Sequence, residues 1–428
     1  MTRDERSPES LARAAAVGVV ACALLVGRGA HAAADANVIA AVKACDTDAR
    51  TLLERLVQID SGTGDAAGIA AVEAVLKPEL ERAGARVEIV PPEPPAAGDN
   101  LVATVTGSGR GKILLIAHID TVFPRGTVAQ RPYRVAGDLA YGPGAGDDKQ
   151  GSVAALCALR ALEAIRFADF ARITLIVNSS EETGSFGARA LIREHARSSD
   201  VAINLERGVP PDAVLLSRKG AALVTLEITG RAAHSGLEPE KGRNAVIEAA
   251  HQALELGKLA DPDRKTTVNV TVLQGGGAFN AIPDHAILKA DVRVAVPEEL
   301  DRVERGVAQL AAATIVPDVR LQVSMERTFP AWPHVASTDA LLGRAQTLYA
   351  EIDRKLTGVE VGSSADVALA AETGTPSIDG LGLLGDGAHG PDDHADLASF
   401  VPRVYLLTRL LMDLGRDPPV KAAATQSH

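Results

Sequence analysis

The strongest constraint on the fold is a set of short apolar runs that alternate with helix-length segments. Residues 112–117, 173–178 and 201–205 are largely apolar, as expected of strands covered on both faces of a parallel sheet. Segments 151–165 and 187–196, which lie between these runs, have helical periodicity. This alternation predicts an α/β fold with a parallel or mixed sheet.

A second pattern interrupts the first. From residue 221 to residue 325 the expected order is strand, helix, strand, strand, helix, strand (βαββαβ), which is typical of a small antiparallel sheet with two helices on one face. The first pattern returns after residue 327. We therefore predict one α/β domain in two parts, 38–217 and 327–416, around an inserted α+β domain at 218–326, with a flexible tail at 417–428.

The N-terminus has the pattern of an export signal. Residues 14–27 are apolar but too few to span a membrane comfortably, and residues 30–32 (AHA) form a small-x-small cleavage pattern. We predict a signal peptide at 1–33, a secreted or periplasmic location, and no membrane association after cleavage. The alternative is an uncleaved anchor.

Charge and cysteine content exclude several classes of protein. The 428 residues include 44 Lys and Arg against 55 Asp and Glu, a net charge of −11, which disfavours a nucleic-acid partner. Three cysteines provide neither a disulfide framework nor the CxxC spacing of a structural zinc site. Cys157 falls in a helical apolar pattern, so we expect it in the core.

Acidic residues and one histidine follow the apolar strands. The residues concerned are His118 and Asp120, Asp147, Glu181 and Glu182, and Glu206. The carboxyl ends of strands in an open α/β sheet meet at one ligand-binding edge. Clustered carboxylates repel one another unless cations lie between them, and mixed imidazole and carboxylate ligands suit zinc and similar metals. Two such metals bridged by a carboxylate activate water for hydrolysis.

Seven motifs in order connect the chain to a known family. They are AHIDTV (117–122), YGPGAGDDKQG (141–151), NSSEETGSFGA (178–188), NLE (204–206), ITGRAAHSG (228–236), NAIP (280–283) and LGLLGDGAHG (381–390). With these motifs the chain resembles the zinc-dependent M20 metallopeptidases, and among them the glutamate carboxypeptidase group, from about residue 46 to residue 415.

The resemblance implies two zinc ions, with Co²⁺ or Mn²⁺ as alternatives. Asp147 would bridge both metals, with an unusual cis peptide to the next residue. His118 and Glu206 would complete one coordination sphere, and Glu182 and His389 the other.

Three further assignments follow from the same resemblance. Asp120 would orient His118, and Glu181 would be the general base on the bridging water and then the acid on the leaving amine. His394 lies close enough in sequence to compete with His389 as a ligand, and the family's Gly-x-His pattern favours His389.

The inserted domain resembles the family's dimerisation and lid domain, which implies a homodimer. His234 matches a histidine that reaches across the dimer to the developing oxyanion, and Asn280 and Arg293 match residues that hold the substrate carboxylate. An ordinary turn and a strand-surface arginine are the alternative interpretations of Asn280 and Arg293. Residues 361–366 (VGSSAD) stand where related carboxypeptidases have glycines, so the side-chain preference stays open.

Together these features predict a dinuclear zinc hydrolase that cuts an amide bond next to a free carboxylate. The substrate would be a small peptide or an N-acyl amino acid, and the released residue a C-terminal glutamate. An N-acyl-amino-acid deacylase or a dipeptidase with the same metal mechanism is the alternative. A non-catalytic binding protein on this fold is disfavoured because the ligand positions, Glu181 and Asp120 are all retained.

Overall fold

The computed structural model describes residues 33–310 and 312–421. The helices of this part of the chain are α1 (Ala36–Val57), α2 (Ala66–Arg82), α3 (Thr127–Gln130), α4 (Gln150–Ala164), α5 (Arg189–Arg197), α6 (Ala245–Gly257), α7 (Pro297–Leu310), α8 (Ala336–Ala350), α9 (Val367–Ala371) and α10 (Phe400–Arg416). Its strands are β1 (Arg86–Val90), β2 (Asn100–Thr106), β3 (Lys112–His118), β4 (Arg134–Ala136), β5 (Leu139–Tyr141), β6 (Arg172–Asn178), β7 (Val201–Asn204), β8 (Ala213–Ser217), β9 (Gly220–Thr229), β10 (Ala233–His234), β11 (Thr267–Gly275), β12 (Ala281–Ile282), β13 (His285–Val294), β14 (Arg320–Phe329), β15 (Thr357–Glu360), β16 (Ser377–Ile378), β17 (Gly385–Asp386) and β18 (His394–Asp396).

The central sheet has six strands in the order β1-β2-β6-β3-β7-β16. Strands β6, β3, β7 and β16 are parallel, whereas β1 and β2 are antiparallel to their neighbours. The predicted α/β class with a mixed sheet is therefore confirmed. Strand β3 lies inside this sheet, and both of its faces are buried. This burial explains why its sequence is a continuous apolar run.

Helices cover both faces of the central sheet. Ile113 and Leu115 of β3 point to the side where α1, α4 and α10 pack together. The alternate residues Leu114 and Ile116 point to the other side, against α5 and α9. The sheet is thus the middle layer of three, and its carboxyl edge is left for the loops.

The inserted segment forms its own antiparallel sheet in the order β11-β13-β9-β14. Helices α6 and α7 pack against this sheet around a separate apolar core that includes Leu226, Leu288 and Val303. Asn244 begins α6 because its side chain accepts the backbone N–H groups of the first turn. The main elements follow the expected βαββαβ order, with the two-residue strands β10 and β12 added. The exact domain boundaries stay predictions.

Several short strands were not predicted, among them β8 and β15. β8 and β15 pair in parallel in a separate two-stranded sheet. The sequence of β15, TGVE, is too short and too polar to show a strand period.

The structure also contains a disulfide that was not predicted. Cys45 of α1 is bonded to Cys157 of α4, and both residues are buried. Cys157 therefore lies in the core as expected, but as half of a covalent link between two helices.

Parts of two predicted segments lie outside the described residues. These are residues 1–32 of the predicted signal peptide and residues 422–428 of the predicted tail. In the part of the chain that the structure does describe, no helix has the length and apolar character needed to cross a bilayer.

Candidate metal centre

The ends of three neighbouring parallel strands bring the candidate ligands together. His118 is the last residue of β3 and lies in register with Asn178, the last residue of β6. A short 3₁₀ helix, Glu181–Thr183, follows β6, and Glu206 follows β7 on the other side of β3. The carboxyl edge of the sheet therefore collects the side chains that the strand-end pattern predicted.

A glycine-rich loop delivers Asp147 to the same edge. A Cβ on Gly146 would lie 2.5 Å from the carbonyl oxygen of His394, so the loop packs too closely for any other residue. The Asp393 carboxylate fixes the loop by accepting the backbone N–H groups of Gly144 and Gly146 at 2.7 and 3.0 Å. The Asp147–Asp148 peptide bond is cis, as the family resemblance implied.

Donor atoms form two sets that meet at Asp147. In one set, His118 Nε2 lies 3.2 Å from Asp147 Oδ1 and 3.5 Å from Glu206 Oε1. In the other set, His389 Nε2 lies 3.0 Å from Glu182 Oε2 and 3.5 Å from Asp147 Oδ2. The two oxygens of Asp147 thus face different histidines, which is the arrangement that a bridging carboxylate requires.

His389 and His394 occupy different environments. His389 is exposed, has a left-handed backbone conformation (φ 63°) and faces the carboxylates of Asp147 and Glu182. His394 lies against the ring of Tyr141, and its Nδ1 is 2.7 Å from the backbone oxygen of Asp392. The structure therefore brings His389, and not His394, to the cluster.

The electrostatics of the cluster are those of a cation site. Burial lowers the pKa of His118, but the carboxylates of Asp120, Asp147 and Glu206 outweigh that effect and raise it well above its ordinary value. Asp147 and Glu182 raise the pKa of His389 to about 10. So much uncompensated negative charge around two imidazoles favours any positive charge placed between them.

Asp120 is buried behind His118 and holds two parts of the site together. Its backbone oxygen lies 3.1 Å from His118 Nδ1, and its carboxylate oxygen Oδ1 lies 3.5 Å from the same nitrogen. The carboxylate also accepts the backbone N–H groups of Glu181 and Glu182 at 3.0 and 3.2 Å and the hydroxyl of Thr63 at 2.6 Å. A histidine held in this way has a fixed tautomer and ring orientation.

Glu181 lies against the first set of donors. One of its carboxylate oxygens is within 4.8 Å of donor atoms of both His118 and Glu206. Burial raises the pKa of Glu181 well above its ordinary value, although the charge of His118 opposes the rise. The carboxylate is therefore within reach of anything bound between these ligands.

A cavity of about 880 Å³ opens beside the cluster and extends to the inserted domain. Its wall includes Asp147, Glu181 and His389 together with Arg293 of β13. Arg293 donates from Nε to both oxygens of Asp291 at 3.0 and 3.1 Å and from Nη1 to Ser364 Oγ at 3.0 Å. Arg293 thus shares one space with the metal cluster.

The other two predicted substrate residues lie elsewhere. His234 and Asn280 are exposed in the inserted domain and are not part of the described wall of this cavity. They are neighbours, since β10 pairs with β12 and the backbone N–H of Ser235 donates to the carbonyl oxygen of Asn280 at 3.0 Å. Within the described chain they therefore form a second group, apart from the metal cluster.

Sequence reasoning missed a buried ion pair behind Glu206. Arg218 Nε donates to Asp379 Oδ2 at 2.6 Å, and Arg218 Nη2 lies 3.6 Å from Glu206 Oε2. Arg218 also donates to Ser363 Oγ at 2.7 Å, so the side chains of Ser363 and Ser364 each contact one arginine of the cavity. The only signal in the sequence was a charged residue at the end of the apolar run of β8.

The residues present fit a metal pair. Each set offers imidazole nitrogen and carboxylate oxygen donors that converge within 4.8 Å, and this donor type suits zinc and neighbouring divalent ions. Most of these donors are buried, and the open side of the cluster faces the cavity, so water and a substrate have access.

Family models match two parts of the chain. The model described as a peptidase dimerisation domain matches residues 216–319, which includes most of the inserted domain. The model described as peptidase family M28 matches residues 100–252, which includes His118, Asp147 and Glu206.

Whole-chain comparisons agree with these matches. The chain is 36% identical to carboxypeptidase G2 of Pseudomonas sp. (strain RS-16), over 95% of this chain and 99% of that protein. It is 30% identical to acetylornithine deacetylase of Proteus mirabilis (strain HI4320), over 78% and 87% of the two chains. Its fold matches the M20 family metallo-carboxypeptidase Sso-CP2 of Sulfolobus solfataricus with a TM-score of 0.67 and 17% identity, over 85% and 98% of the two chains. The chain therefore belongs to the M20 family of metallopeptidases and is a metal-dependent hydrolase of the carboxypeptidase G2-like group.

Proposed function

We propose that this enzyme uses two zinc ions to cleave an amide bond next to a free carboxylate, and that it releases a C-terminal glutamate. The observation that carries the proposal is the sharing of one cavity by Arg293 and the two donor sets that meet at Asp147. A guanidinium on one wall and a metal pair on the other suit a substrate with a carboxylate beside its scissile bond.

The ligands in this proposal are those that the family resemblance implied. His118, Asp147 and Glu206 would hold one zinc, and Asp147, Glu182 and His389 the other. Bound there, the ions would polarise a water molecule and the scissile carbonyl group. Co²⁺ or Mn²⁺ would suit the same donors.

Glu181 moves the proton in this scheme. Its carboxylate accepts a proton from the attacking water and then donates that proton to the leaving amide nitrogen. Asp120 sets the position of Glu181, because the Asp120 carboxylate accepts the Glu181 backbone N–H. Arg293 binds the substrate carboxylate through the donors that Asp291 and Ser364 leave free.

A deacylase with the same metal mechanism is the second candidate. The specific reason to keep it is the pair Ser363 and Ser364, because side chains here change the wall that faces the substrate. The 30% identity to an acetylornithine deacetylase also suits this reading. A dipeptidase stays as a third form of the same chemistry.

We also propose a homodimer formed through the inserted domain. Phe279 is fully exposed and Leu254 is 72% exposed, and both belong to the part of the chain that the dimerisation model matches. Strand β11 is an edge strand of the inserted sheet, with exposed apolar Leu273 on it and α6 beside it. A second copy that covers this side would remove apolar surface from water and protect the strand edge. His234 and Asn280 would then act on the partner's cavity.

A secreted or periplasmic location completes the proposal. The N-terminal apolar run with its small-x-small pattern supports export. The bond between Cys45 and Cys157 supports it independently, since disulfides persist mainly in oxidising compartments. N-terminal sequencing of the mature protein from fractionated cells tests this part, and a protein that retains residue 1 in the cytoplasm would contradict it.

The test of the activity is a matched substrate set for the zinc-loaded protein. The set comprises an N-acyl-glutamate, a glutamate-terminated peptide amide, an N-acetyl neutral amino acid and an unblocked dipeptide, each with and without chelator. Chelator-sensitive cleavage confined to the two glutamate compounds is the expected result. Preference for the neutral acyl amino acid or the dipeptide would favour the alternatives, and no turnover with zinc bound would overturn the proposal.

A further inference from the structure

Three arginines line the cavity beside the metal cluster, and two of them are largely occupied. Arg218 is 6% exposed and binds Asp379, Ser363 and Glu206. Arg293 is 35% exposed and binds Asp291 and Ser364. The third, Arg207, has fewer partners than the other two.

Arg207 is held in the cavity wall, and among the described residues its guanidinium makes one ion-pair contact, to Asp147. Its side chain is 25% exposed, and its Cδ lies 3.3 Å from the position of a Cβ on Gly385, so its stem is packed against the β17 strand. Its closest acidic atom is Asp147 Oδ2 at 3.3 Å from Nη1. Among the described residues, the Arg207 guanidinium donates no hydrogen bond of normal geometry beyond its ion-pair contact with Asp147, so most of its N–H donors are left for another group.

The acidic residue closest to the Arg207 guanidinium is the one that would bridge the metals. Zinc ions bound to both oxygens of Asp147 would take the negative charge that now faces Arg207. A guanidinium beside a metal pair is repelled unless an anion lies next to it. The cavity that Arg207 lines is where that anion would enter.

We propose that Arg207 is the residue that selects an acidic side chain in the released amino acid. Arg293 would hold the main-chain carboxylate, and Arg207 would bind the side-chain carboxylate of the same residue. The geometry suits a dicarboxylate because two guanidinium groups on separate elements, the loop after β7 and strand β13, face one space. Planar arginine pairs bidentately with carboxylate, so a neutral residue would leave Arg207 without a partner. This inference rests on the proposed release of a C-terminal acidic residue and names the group that recognises it.

The experiment compares glutamate with glutamine, which has the same shape without the charge. The measured quantity is kcat/KM for N-acyl-glutamate divided by kcat/KM for N-acyl-glutamine. We expect Arg207→Gln to lower this ratio by about 10- to 100-fold, because KM for the glutamate compound rises. Arg207→Lys, which keeps the charge but not the fork, should restore part of the ratio. Arg320→Gln, which removes one exposed positive charge from β14, is the matched control and should leave the ratio unchanged.

Two binding measurements distinguish recognition of the side-chain carboxylate by Arg207 from an indirect effect of Arg207 on metal binding. Calorimetry with free glutamate and free glutamine on the zinc-loaded protein tests Arg207 even if no amide in the set is hydrolysed, so failure of the proposed function is seen separately. Weaker glutamate binding by Arg207→Gln, with glutamine binding unchanged, supports the inference. Zinc affinity from chelator competition tests whether Arg207 acts only through Asp147. A changed zinc affinity with an unchanged glutamate-to-glutamine ratio would overturn the inference, as would wild-type protein that does not distinguish the two amino acids.

Discussion

The Asp120 carboxylate accepts the backbone N–H of Glu181 at 3.0 Å, and this hydrogen bond joins the end of β3 to the loop that follows β6. The same carboxylate faces the ring of His118 at 3.5 Å. A single buried side chain therefore sets the positions of a candidate ligand and of the candidate base.

Replacing Asp120 should consequently disturb both metal binding and turnover. In Asp120→Asn only one oxygen remains to accept the N–H groups of Glu181 and Glu182, so we expect zinc affinity and kcat/KM each to fall about 10- to 100-fold. Chelator competition and steady-state kinetics measure the two effects. Thr63→Val, which removes a single donor to the same carboxylate, should have a smaller effect. Wild-type values for Asp120→Asn would show that the contact does not position the site.

The role of Glu181 is tested by separating binding from chemistry. We expect Glu181→Gln to bind zinc normally and to lose about 10²- to 10⁴-fold in kcat, because the carboxylate that accepts and returns the proton is gone. Zinc content by elemental analysis and single-turnover kinetics measure the two properties. Glu326→Gln, in the same cavity wall but outside both donor sets, is the matched control. Intact turnover in Glu181→Gln would exclude the assigned role.

The proposed binding of the substrate carboxylate by Arg293 predicts which substrates are affected when Arg293 is replaced. Arg293→Met should lower kcat/KM about 10- to 100-fold for substrates with a free terminal carboxylate, mainly through KM. It should matter little for the same compounds with that carboxylate amidated. Ser364→Ala should give a smaller loss, because Ser364 only holds Arg293 Nη1 at 3.0 Å. Equal losses of kcat/KM for compounds with a free and with an amidated carboxylate would contradict the proposed role of Arg293.

The Cys45–Cys157 bond should contribute to stability. It joins α1 to α4 across 112 residues of sequence, and a link of this kind restricts the unfolded chain. We expect the double variant Cys45→Ala/Cys157→Ala to lower the free energy of unfolding by about 2–5 kcal/mol in denaturant titrations. Reductant should destabilise the wild type and leave the double variant unchanged. A wild type that is indifferent to reductant would argue against the bond.

A buried carboxylate on α2, outside both donor sets, should make stability depend on pH. Burial, with the charge of Asp99 adding to it, raises the pKa of Glu73 from 4.5 to about 7, and its Oε1 has no hydrogen-bond partner among the described residues. The folded state therefore binds the Glu73 proton more tightly than the unfolded state does. This contribution to stability is full below pH 4.5, is lost as the pH rises to about 7, and is constant above that.

Substitution of Glu73 tests that sign. We expect Glu73→Gln to raise the free energy of unfolding at pH 8 by about 1 kcal/mol or more relative to wild type, with little difference at pH 4. Asp99→Asn should act in the same direction but less, since its charge is the smaller cause. Denaturant titrations at the two pH values decide the matter, and a stability gain confined to pH 4 would refute it.

Strand ends were the most informative part of the sequence. The apolar runs before His118 and Glu206 predicted parallel strands, and the topology of such sheets places their carboxyl ends side by side. His389 had no such support, because its loop between β17 and β18 has no period and its left-handed backbone leaves no pattern in the sequence. Only the resemblance to known motifs favoured it over His394.

Contacts between distant segments could not be predicted. Arg218 and Asp379 are separated by 161 residues, and nothing local to either one indicates that they pair behind Glu206. The partnership of Cys45 with Cys157 depends in the same way on how α1 packs against α4. Such pairs follow from tertiary packing, which a single sequence does not contain.

The disulfide closes a covalent ring that contains part of the candidate site. His118, Asp120 and Asp147 lie inside the ring formed by Cys45 and Cys157, whereas Glu181, Glu206 and His389 lie outside it. An oxidised chain that has lost its fold and its metal thus still keeps two of the five candidate ligands, His118 and Asp147, on a tethered segment. Reassembly then brings the other three to it, so the order of oxidation and metal addition becomes a practical variable whenever the protein is refolded from a denatured state.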